Sequence, residues 1–260
     1  FSQYLNGYNK ESFLNDFRAL LLGNHAAEEV ILLEIQPHHQ KTRIDFYCTQ
    51  DYTGIPIVCL TELIQEGKKL YYLHPQSGKK TRVRRIYNRV IFDELHLKKA
   101  QLGKLPDLTA DLEVEWIPHP NWFYRISKYT LPFLKHPYVP PAYFVDELKE
   151  IPRDLGQYVL KPLFSFGGQG VLIDVRQQDL EGIRDPENWI LQKKIEYAPV
   201  IPTPDEPAKV EIRMLYIWKE EWSRPKPVIN LARLSKGKMI GVRYNQEKEW
   251  VGGSVAFFKH

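Results

Sequence analysis

Apolar and polar positions along this chain recur with periods that separate helices from strands. Over Glu11–Leu22 the apolar residues fall at positions 13, 14, 17, 20 and 21, the spacing of one helical face, and a polar stretch from Asn24 ends it. Glu29–Gln36 reads as a strand with Val30, Leu32, Glu34 and Gln36 on one face and Ile31, Leu33 and Ile35 on the other. A carboxylate and an amide are therefore expected side by side on an otherwise apolar strand. A helix over residues 40–53, stopped at Gly54, and a short strand Pro56–Leu60 complete a β-α-β unit, which predicts parallel pairing. Leu70–Leu73 and Thr81–Tyr87 read as strands joined by a turn at Pro75–Gly78, and Asn88–Leu95 leads into a helical stretch Leu97–Leu102.

Pro106, Pro118 and Pro120 mark Leu105–Trp122 as a linker that holds a short strand, Leu112–Ile117. Ser127–Leu134 starts as a helix that Ser127 can cap and Pro132 limits. A strand at Tyr143–Val145 follows a Pro-rich stretch. Tyr158–Leu160 and Val171–Val175 then read as a hairpin whose tip, Phe164–Gly170, carries Gly167, Gly168 and Gly170. Beyond a helical patch at Asp179–Ile183, Trp189–Glu196 is an apolar strand running into a charged segment. Lys209–Trp218 alternates, with Glu211, Arg213, Leu215 and Ile217 on one face. Pro227–Leu234 is another strand, and Val251–Ala256 reads as a second glycine-bearing loop.

Composition adds bounds. With 260 residues, 43% apolar and 26% charged, the chain holds one large domain or two small ones of ordinary soluble make-up. No stretch approaches the roughly 18 apolar residues of a membrane span, and no signal-peptide pattern is present. The chain starts at Phe1, so a trimmed N-terminus stays open. Cys48 and Cys59 lie in apolar surroundings and read as buried free thiols of a reducing compartment, which predicts a cytoplasmic protein. The net charge of +4 favours anionic ligands only slightly. Lys79, Lys80, Arg82, Arg84, Arg85 and Arg89 crowd one segment; a solvated strand face is the commoner reading and an anion site the rarer one, with nucleic acid the weakest.

The glycine hairpin is the first chemical candidate. Its glycines let backbone N–H groups approach phosphate oxygens, and Lys161 on the entering strand sets a point charge beside them. No Gly-Lys-Ser/Thr follows the glycines and no helix is signalled, so it is neither a Walker loop nor a dinucleotide fingerprint. A flexible tip with an incidental lysine is the competing reading. Lys128 is a second cation at a helix start. Glu34, Gln36 and Glu211 are hard oxygen ligands suited to Mg²⁺. Arg213 and Arg243 are strand guanidiniums able to hold phosphate or carboxylate in a fork. Taken singly each is an ordinary surface residue. Together they place charge at two-residue spacing on strands rich in Leu, Ile and Val, where an unpaired charge costs several kcal/mol (on the order of 3–5) and a metal–nucleotide complex would serve as partner.

The order SKYTLPFL with Lys128, VLKPLFSFGGQGV, ILQKKIE, EIRMLYIW, then a late Arg and Gly-Gly resembles the ATP-grasp superfamily. It is most similar to the circularly permuted branch of eukaryotic-type glutathione synthetase, in which the metal pair lies on an early strand, here Glu34-Ile35-Gln36. The resemblance implies an α/β (α+β) ATP-grasp fold. A β-α-β substrate or pre-ATP-grasp region over 1–115 would supply a metal-ligand strand. Two subdomains, 116–190 with the hairpin and 191–260 with hinge and lid, would clasp ATP. It implies that Lys128, Lys161 and the loop residues Phe166, Gly167, Gly168, Gln169 and Gly170 contact phosphates. The hinge Gln192, Lys193, Lys194 and Ile195 would read adenine, and Asn245 stands where the family often has Lys. Glu34, Gln36 and Glu211 would share one Mg²⁺ site, and Arg213 and Arg243 would act in catalysis. Arg85, Gly252 and Gly253 form a substrate and lid group. Gln36 replaces the family's Asn, and the chain is much shorter than glutathione synthetases.

The implied activity is an ATP- and Mg²⁺-dependent ligase joining a small-molecule or peptide carboxylate to an amine or thiol through an acyl phosphate. A phosphotransferase on the same scaffold and a degenerate, non-catalytic nucleotide-binding module are the alternatives.

Overall fold

Strand β1 (Val30–Glu34) is buried at every position, the mark of a parallel sheet covered on both faces. The computed structural model describes residues 1–241 and 244–259, the side chains of residues 93, 94, 97 and 99 excepted. The chain forms two units. The first comprises Phe1–Pro120, Met214–Asn230 and Ala256–His260, and the second Asn121–Arg213 and Leu231–Val255. The architecture is mixed α/β, with several sheets and few, short helices.

In the first unit β1 pairs in parallel with β2 (Ile57–Cys59), across α2 (Arg43–Thr53), and with β6 (Arg85–Asn88); β7 (Glu115–Ile117) completes the sheet in the order β2-β1-β6-β7. The two-residue period sorts the core. Ile31, Leu33 and Ile35 pack with Val58, Leu70, Tyr72, Val83 and Ile86 on one side. Val30 and Leu32 meet Leu21 of α1 (Lys10–Leu22) and Phe46 of α2 on the other. Asn9 opens α1 with a reciprocal capping box: its side chain accepts from the Ser12 N–H and its own N–H donates to the Ser12 hydroxyl, both at 2.9 Å. A smaller antiparallel sheet, β3 (Ile64–Glu66), β4 (Lys69–Leu73) and β5 (Lys80–Val83), belongs to the same unit.

Four expectations change here. The run Thr81–Tyr87 is not one strand. Thr81 and Val83 are buried, then Ile86 and Asn88, so the alternation slips at Arg84 and the chain passes from the small sheet into the parallel one. Leu105–Trp122 is more than a linker, because β7 adds to the parallel sheet and Leu105, Leu108, Leu112, Val114 and Trp116 pack on its core. The helix α3 (Phe92–Lys98) begins earlier than Leu97 and is followed by a 3-10 turn at Lys99–Gln101. Gln36 does not share a strand face with Glu34: β1 ends at Glu34, and Gln36 is exposed in the left-handed region (φ 48°, ψ 55°), opening a 3-10 turn at Pro37–His39. The proline at 37 and that backbone turn end the alternation on which the pairing of the two side chains rested.

The second unit carries an antiparallel sheet in the order β10-β9-β11-β8: β8 (Ala142–Phe144), β9 (Tyr158–Pro162), β10 (Leu172–Ile173) and β11 (Trp189–Lys193). One face packs Ala142, Phe144, Leu163 and Ile190; the other packs Leu160, Leu191, Val175 and Leu180 of α5 (Gln177–Glu181). Strand β12 (Lys209–Ile217), β13 (Lys226–Ser235) and β14 (Gly252–Ser254) form a further sheet, and the division between units falls within β12 and β13. The stretch Val251–Ala256 was expected as a loop, yet Gly252 and Gly253 lie opposite Leu234 and Arg233 in β14, because glycine does not prevent main-chain pairing. Among the described residues no helix is long and apolar enough to cross a membrane.

Candidate functional site

Strand β9 delivers Lys161 and then the glycine loop. In the β9–β11 register Lys161 faces Ile190 and Val159 faces Gln192, so Lys161 and Gln192 are diagonal neighbours. The Lys161 ammonium donates to the Gln192 Oε1 at 2.6 Å, and Gln192 is buried. Burial holds the Lys161 pKa below its ordinary value.

Lys128 comes from a 3-10 turn, Lys128–Phe133, whose start is capped by the Ser127 hydroxyl accepting from Tyr129 N–H at 3.3 Å. Its ammonium donates to the Ser165 carbonyl at 2.8 Å and to the Ser165 hydroxyl at 3.0 Å. Burial, then the nearby charge of Lys161, lower its pKa. Among the described residues neither lysine has a carboxylate partner. Two half-buried cations that repel one another are stabilised when an anion arrives.

Between them runs the loop Phe164–Gly170. The glycines 167, 168 and 170 take φ of 58°, 79° and 71°, a sequence of left-handed turns that L side chains rarely adopt. Gln169 N–H donates to the Phe166 carbonyl at 3.0 Å and Val171 N–H to Gly168 at 3.3 Å. Edge-on ring contacts anchor the loop base: Phe166 with Phe123 at 5.1 Å and Phe164 with Tyr124 at 5.6 Å. A Cβ on Gly168 would stand 2.7 Å from Met239 Cε and 3.7 Å from the Tyr244 hydroxyl, so the loop tip lies directly against these two side chains.

Met239 and Tyr244 also line a cavity of about 410 Å³, together with Val171, Ile173, Asp174 and Lys238, a size common for small-molecule sites. Asp174 has φ 63°, unusual outside glycine. Its carboxylate meets Lys194 Nζ at 2.9 Å and Lys238 Nζ at 3.7 Å, and the Lys194 hydrogen bond holds its pKa below the usual carboxylate range. Sequence reasoning missed Asp174, Lys238, Met239 and Tyr244. Only the alternation Val171, Ile173 pointed there, since what lines a cavity depends on the segment packed opposite.

The hinge residues follow the end of β11. The amide N–H groups of Lys193 and Lys194 are taken by the carbonyls of Pro141 at 2.8 Å and Gln157 at 2.7 Å. Asn245 is buried and spent inside its own loop. Its Oδ1 accepts from the N–H groups of Lys236 at 2.9 Å and Gly237 at 3.0 Å, and its Nδ2 donates to Gly241 O at 2.8 Å. Arg243 lies outside the described residues.

On β12, Glu211 is ringed by positive charge. Its Oε1 accepts from Arg213 Nε at 2.8 Å and lies 3.5 Å from Arg233 Nη1; its Oε2 accepts from the Tyr197 hydroxyl at 3.3 Å. Arg233, on β13, is a further residue the sequence did not single out. Its Nη2 would sit 3.7 Å from a Cβ on Gly241, three residues before Tyr244 of the cavity wall. Glu211 has the hard oxygen atoms a divalent cation needs, and in this arrangement they are engaged by guanidinium and phenol donors. Among the described residues no group of three or more His, Cys, Asp or Glu is arranged to hold a metal.

The remaining candidates lie in the first unit. Glu34 is buried and its carboxylate accepts from the Ile35 N–H at 2.7 Å. Arg85 donates to the carbonyls of Leu21 at 2.9 Å and Leu20 at 3.1 Å, which closes the C-terminus of α1, and pairs with Glu115. Its neighbours are also paired: Lys80 with Glu66, Arg82 with Glu113, Arg84 with Glu29 at 3.0 Å, and Arg89 with Asp45 at 3.0 Å. The basic run is thus interleaved with carboxylates.

No protein-family model matches the chain, and no curated protein matches it in sequence. Among solved structures it is similar to a glutathione synthetase-like effector from Globodera pallida in its apo form. The TM-score is 0.40 with 10% identity, over 85% of this chain and 53% of that one. The chain spans about half the length of that protein.

Proposed function

We propose that the second unit binds ATP, and that the protein is an ATP- and Mg²⁺-dependent ligase of the ATP-grasp kind joining a carboxylate to an amine or thiol. The observation that carries this reading is the lysine pair. Lys128 and Lys161 are half-buried, depressed in pKa by burial, and lack a carboxylate partner among the described residues. They flank a glycine loop that abuts a cavity of about 410 Å³. A triphosphate satisfies that charge, and the motif order of the sequence supports the same assignment.

In this reading the lysines hold the phosphates, and the left-handed glycines bring amide N–H groups against their oxygens. Val171, Ile173 and Met239 give the base apolar walls. ATP would supply the phosphoryl group, and Mg²⁺ bound with it would neutralise the developing charge. Arg213, half-exposed beside Glu211, orients the acid. A carboxylate oxygen bonds to the γ-phosphorus as the bond to ADP breaks. The acceptor nitrogen or sulfur then bonds to the acyl carbon, the acyl C–O bond breaks so that phosphate leaves with that oxygen and the electron pair, and the acceptor's proton passes to solvent. Closure of the glycine loop excludes the water that would otherwise take the acceptor's place.

A degenerate, nucleotide-binding module is the second reading, favoured by Gln36, which stands off the β1 strand that carries Glu34. Incubation with ATP, Mg²⁺, hydroxylamine and a screen of amino acids and short peptides separates the two. The ligase reading expects a hydroxamate with ADP and phosphate in equal amounts. ADP-analogue and ATP-analogue binding without ADP release from any acid would favour the binding module, and a stable phosphorylated product without hydroxamate would favour a phosphotransferase.

A further inference from the structure

We infer that an acid-free, aromatic face of the second unit docks this protein on an anionic membrane surface. The inference is independent of the nucleotide reading and starts in the sequence. Residues 116–145 contain no Asp or Glu, whereas Trp, Phe and Tyr recur there among Arg125, Lys128 and Lys135. The chain makes only short turns over part of this stretch: α4 (Trp122–Arg125), then the 3-10 turn Lys128–Phe133 with Pro132 inside it. Tyr129 and Phe133 rest on Phe144 of β8, with ring centroids 5.1 Å and 5.7 Å away, and Tyr124 meets Phe164 edge-on at 5.6 Å. Phe144 is buried, so Tyr129 and Phe133 are anchored at the sheet while their outer parts stay in solvent.

These side chains protrude. Tyr124 is 61% exposed, Phe133 62%, Ile126 69% and Tyr138 91%. Tyr138 stands on a fixed turn: its N–H donates to His136 Nδ1 at 3.2 Å, and the Val139 N–H donates to the His136 carbonyl at 2.9 Å. Apolar side chains grouped and exposed in this way mark an interaction surface. The charge among them selects the partner. Arg125, which lies over the Trp122 ring at 5.5 Å, and Lys135 have no carboxylate partner among the described residues. Arg82, Arg84 and Arg85 of the first unit, by contrast, are each paired with a glutamate. A second copy meeting this face symmetrically would set like cations together with no carboxylate between them. A single-stranded nucleic acid needs a groove of cations tracking its backbone, whereas this face is mostly apolar, with the aliphatic Ile126 and Leu134 exposed beside its rings. An anionic leaflet suits both components. Ile126, Phe133 and Leu134 enter the acyl boundary, the tyrosines keep their hydroxyls at headgroup level, and Arg125 and Lys135 meet the lipid anions.

The test is co-sedimentation of the whole chain with phosphatidylcholine vesicles, with and without phosphatidylserine. Binding is expected to the anionic vesicles and is expected to weaken as salt rises. Arg125→Gln and Lys135→Gln should each weaken it about fivefold, the factor that about 1 kcal/mol per basic residue near such a surface corresponds to. The double variant Ile126→Asp/Tyr138→Asp changes two side chains that stand in solvent, and it should no longer sediment with the vesicles. Ile44→Asp alters a comparably exposed isoleucine of α2 and should bind as the native chain does. A circular dichroism melt confirms that each variant is folded before it is assayed. Absence of binding to anionic vesicles, equal binding with and without phosphatidylserine, or equal losses in the double variant and Ile44→Asp overturns the proposal. A dimer in sedimentation velocity that the double variant dissociates assigns the face to a second copy and also overturns it. Tighter binding to a single-stranded oligonucleotide than to vesicles, lost in the same variant, assigns it to nucleic acid with the same consequence.

Discussion

Replacing Lys161 by methionine removes the cation at the mouth of the glycine loop and keeps its hydrocarbon stem. In the native chain the ammonium is half-buried and donates to the neutral Gln192 amide oxygen at 2.6 Å. Loss of the ammonium acts on folding in two opposed ways. It relieves the burial of a charge, and it leaves the buried Gln192 oxygen without its donor, which costs about 1–3 kcal/mol. The melting temperature is therefore expected to move little. Nucleotide binding has no such compensation. One charge-assisted hydrogen bond to phosphate is lost, about 1.5–3 kcal/mol, which weakens the dissociation constant by about 12- to 160-fold. Lys128 changes as well, because Lys161 charge helps to depress its pKa, so Lys128 is expected to titrate nearer its ordinary value in the variant. Titration calorimetry with a non-hydrolysable ATP analogue and Mg²⁺ measures the loss. Lys68→Met, which breaks an exposed pair with Asp111 at 2.5 Å, serves as the control and should bind as the native chain does. Unchanged analogue affinity in a folded Lys161→Met protein would show that the lysine pair does not hold phosphate.

Other consequences concern pH, a glycine and an ion pair. Lys128 and Lys161 have lowered pKa values, so nucleotide affinity should fall as pH rises through those values, at a lower pH than ordinary lysines would allow; analogue binding should also take up protons there, read as a buffer-dependent calorimetric enthalpy. An affinity flat up to the ordinary lysine range would contradict the assignment. Gly237→Ala places a Cβ on the Tyr244 carbonyl oxygen, a backbone atom that cannot step aside cheaply, so it should lower stability by about 1–3 kcal/mol and distort the cavity wall. Equal melting temperatures for the two proteins would refute that packing. Asp16 of α1 is partly buried, which raises its pKa, but hydrogen bonds from Lys219 at 2.7 Å and Tyr8 at 2.6 Å outweigh burial and hold it below the usual carboxylate range. Its contribution is thus present above the unfolded-state carboxylate pKa and is lost as pH falls through the lower folded value. Asp16→Asn should cost about 1–2 kcal/mol at neutral pH in urea unfolding and progressively less in acid; a pH-independent difference would count against the pair.

Local pattern determined much of this protein. The two-residue period of Glu29–Gln36 assigned Ile31, Leu33 and Ile35 to one face and Val30 and Leu32 to the other, and they do separate into two cores. Gly54 marked the end of α2, and the glycines of Phe164–Gly170 marked a hairpin tip with left-handed turns, since few other residues adopt that backbone. Lys128 and Lys161 stood out because each is a lysine at an element's start or edge next to apolar sequence. The slip of alternation at Arg84 was not legible, because the buried positions 81 and 88 are Thr and Asn, and only the folded chain shows 81 and 83 buried in one sheet and 86 and 88 in the next.

Long-range charge pairing was not legible. Whether Glu211 serves a metal or an arginine depends on the β12–β13 neighbourhood that brings Arg233 to it from 22 residues away, and no local period encodes that distance. The same holds for Arg85. Its sequence neighbours suggest a basic surface, yet its donors are used by the end of α1, 64 and 65 residues earlier, and by Glu115. Gln36 shows the converse: a two-residue spacing from Glu34 suggests a shared face, and one left-handed backbone turn removes it. Hydrophobic burial is non-directional and repeats with the local period, so sequence carries it. Ion pairs and cavity walls need particular atoms within a few ångströms, and only the folded chain sets which strands and loops meet.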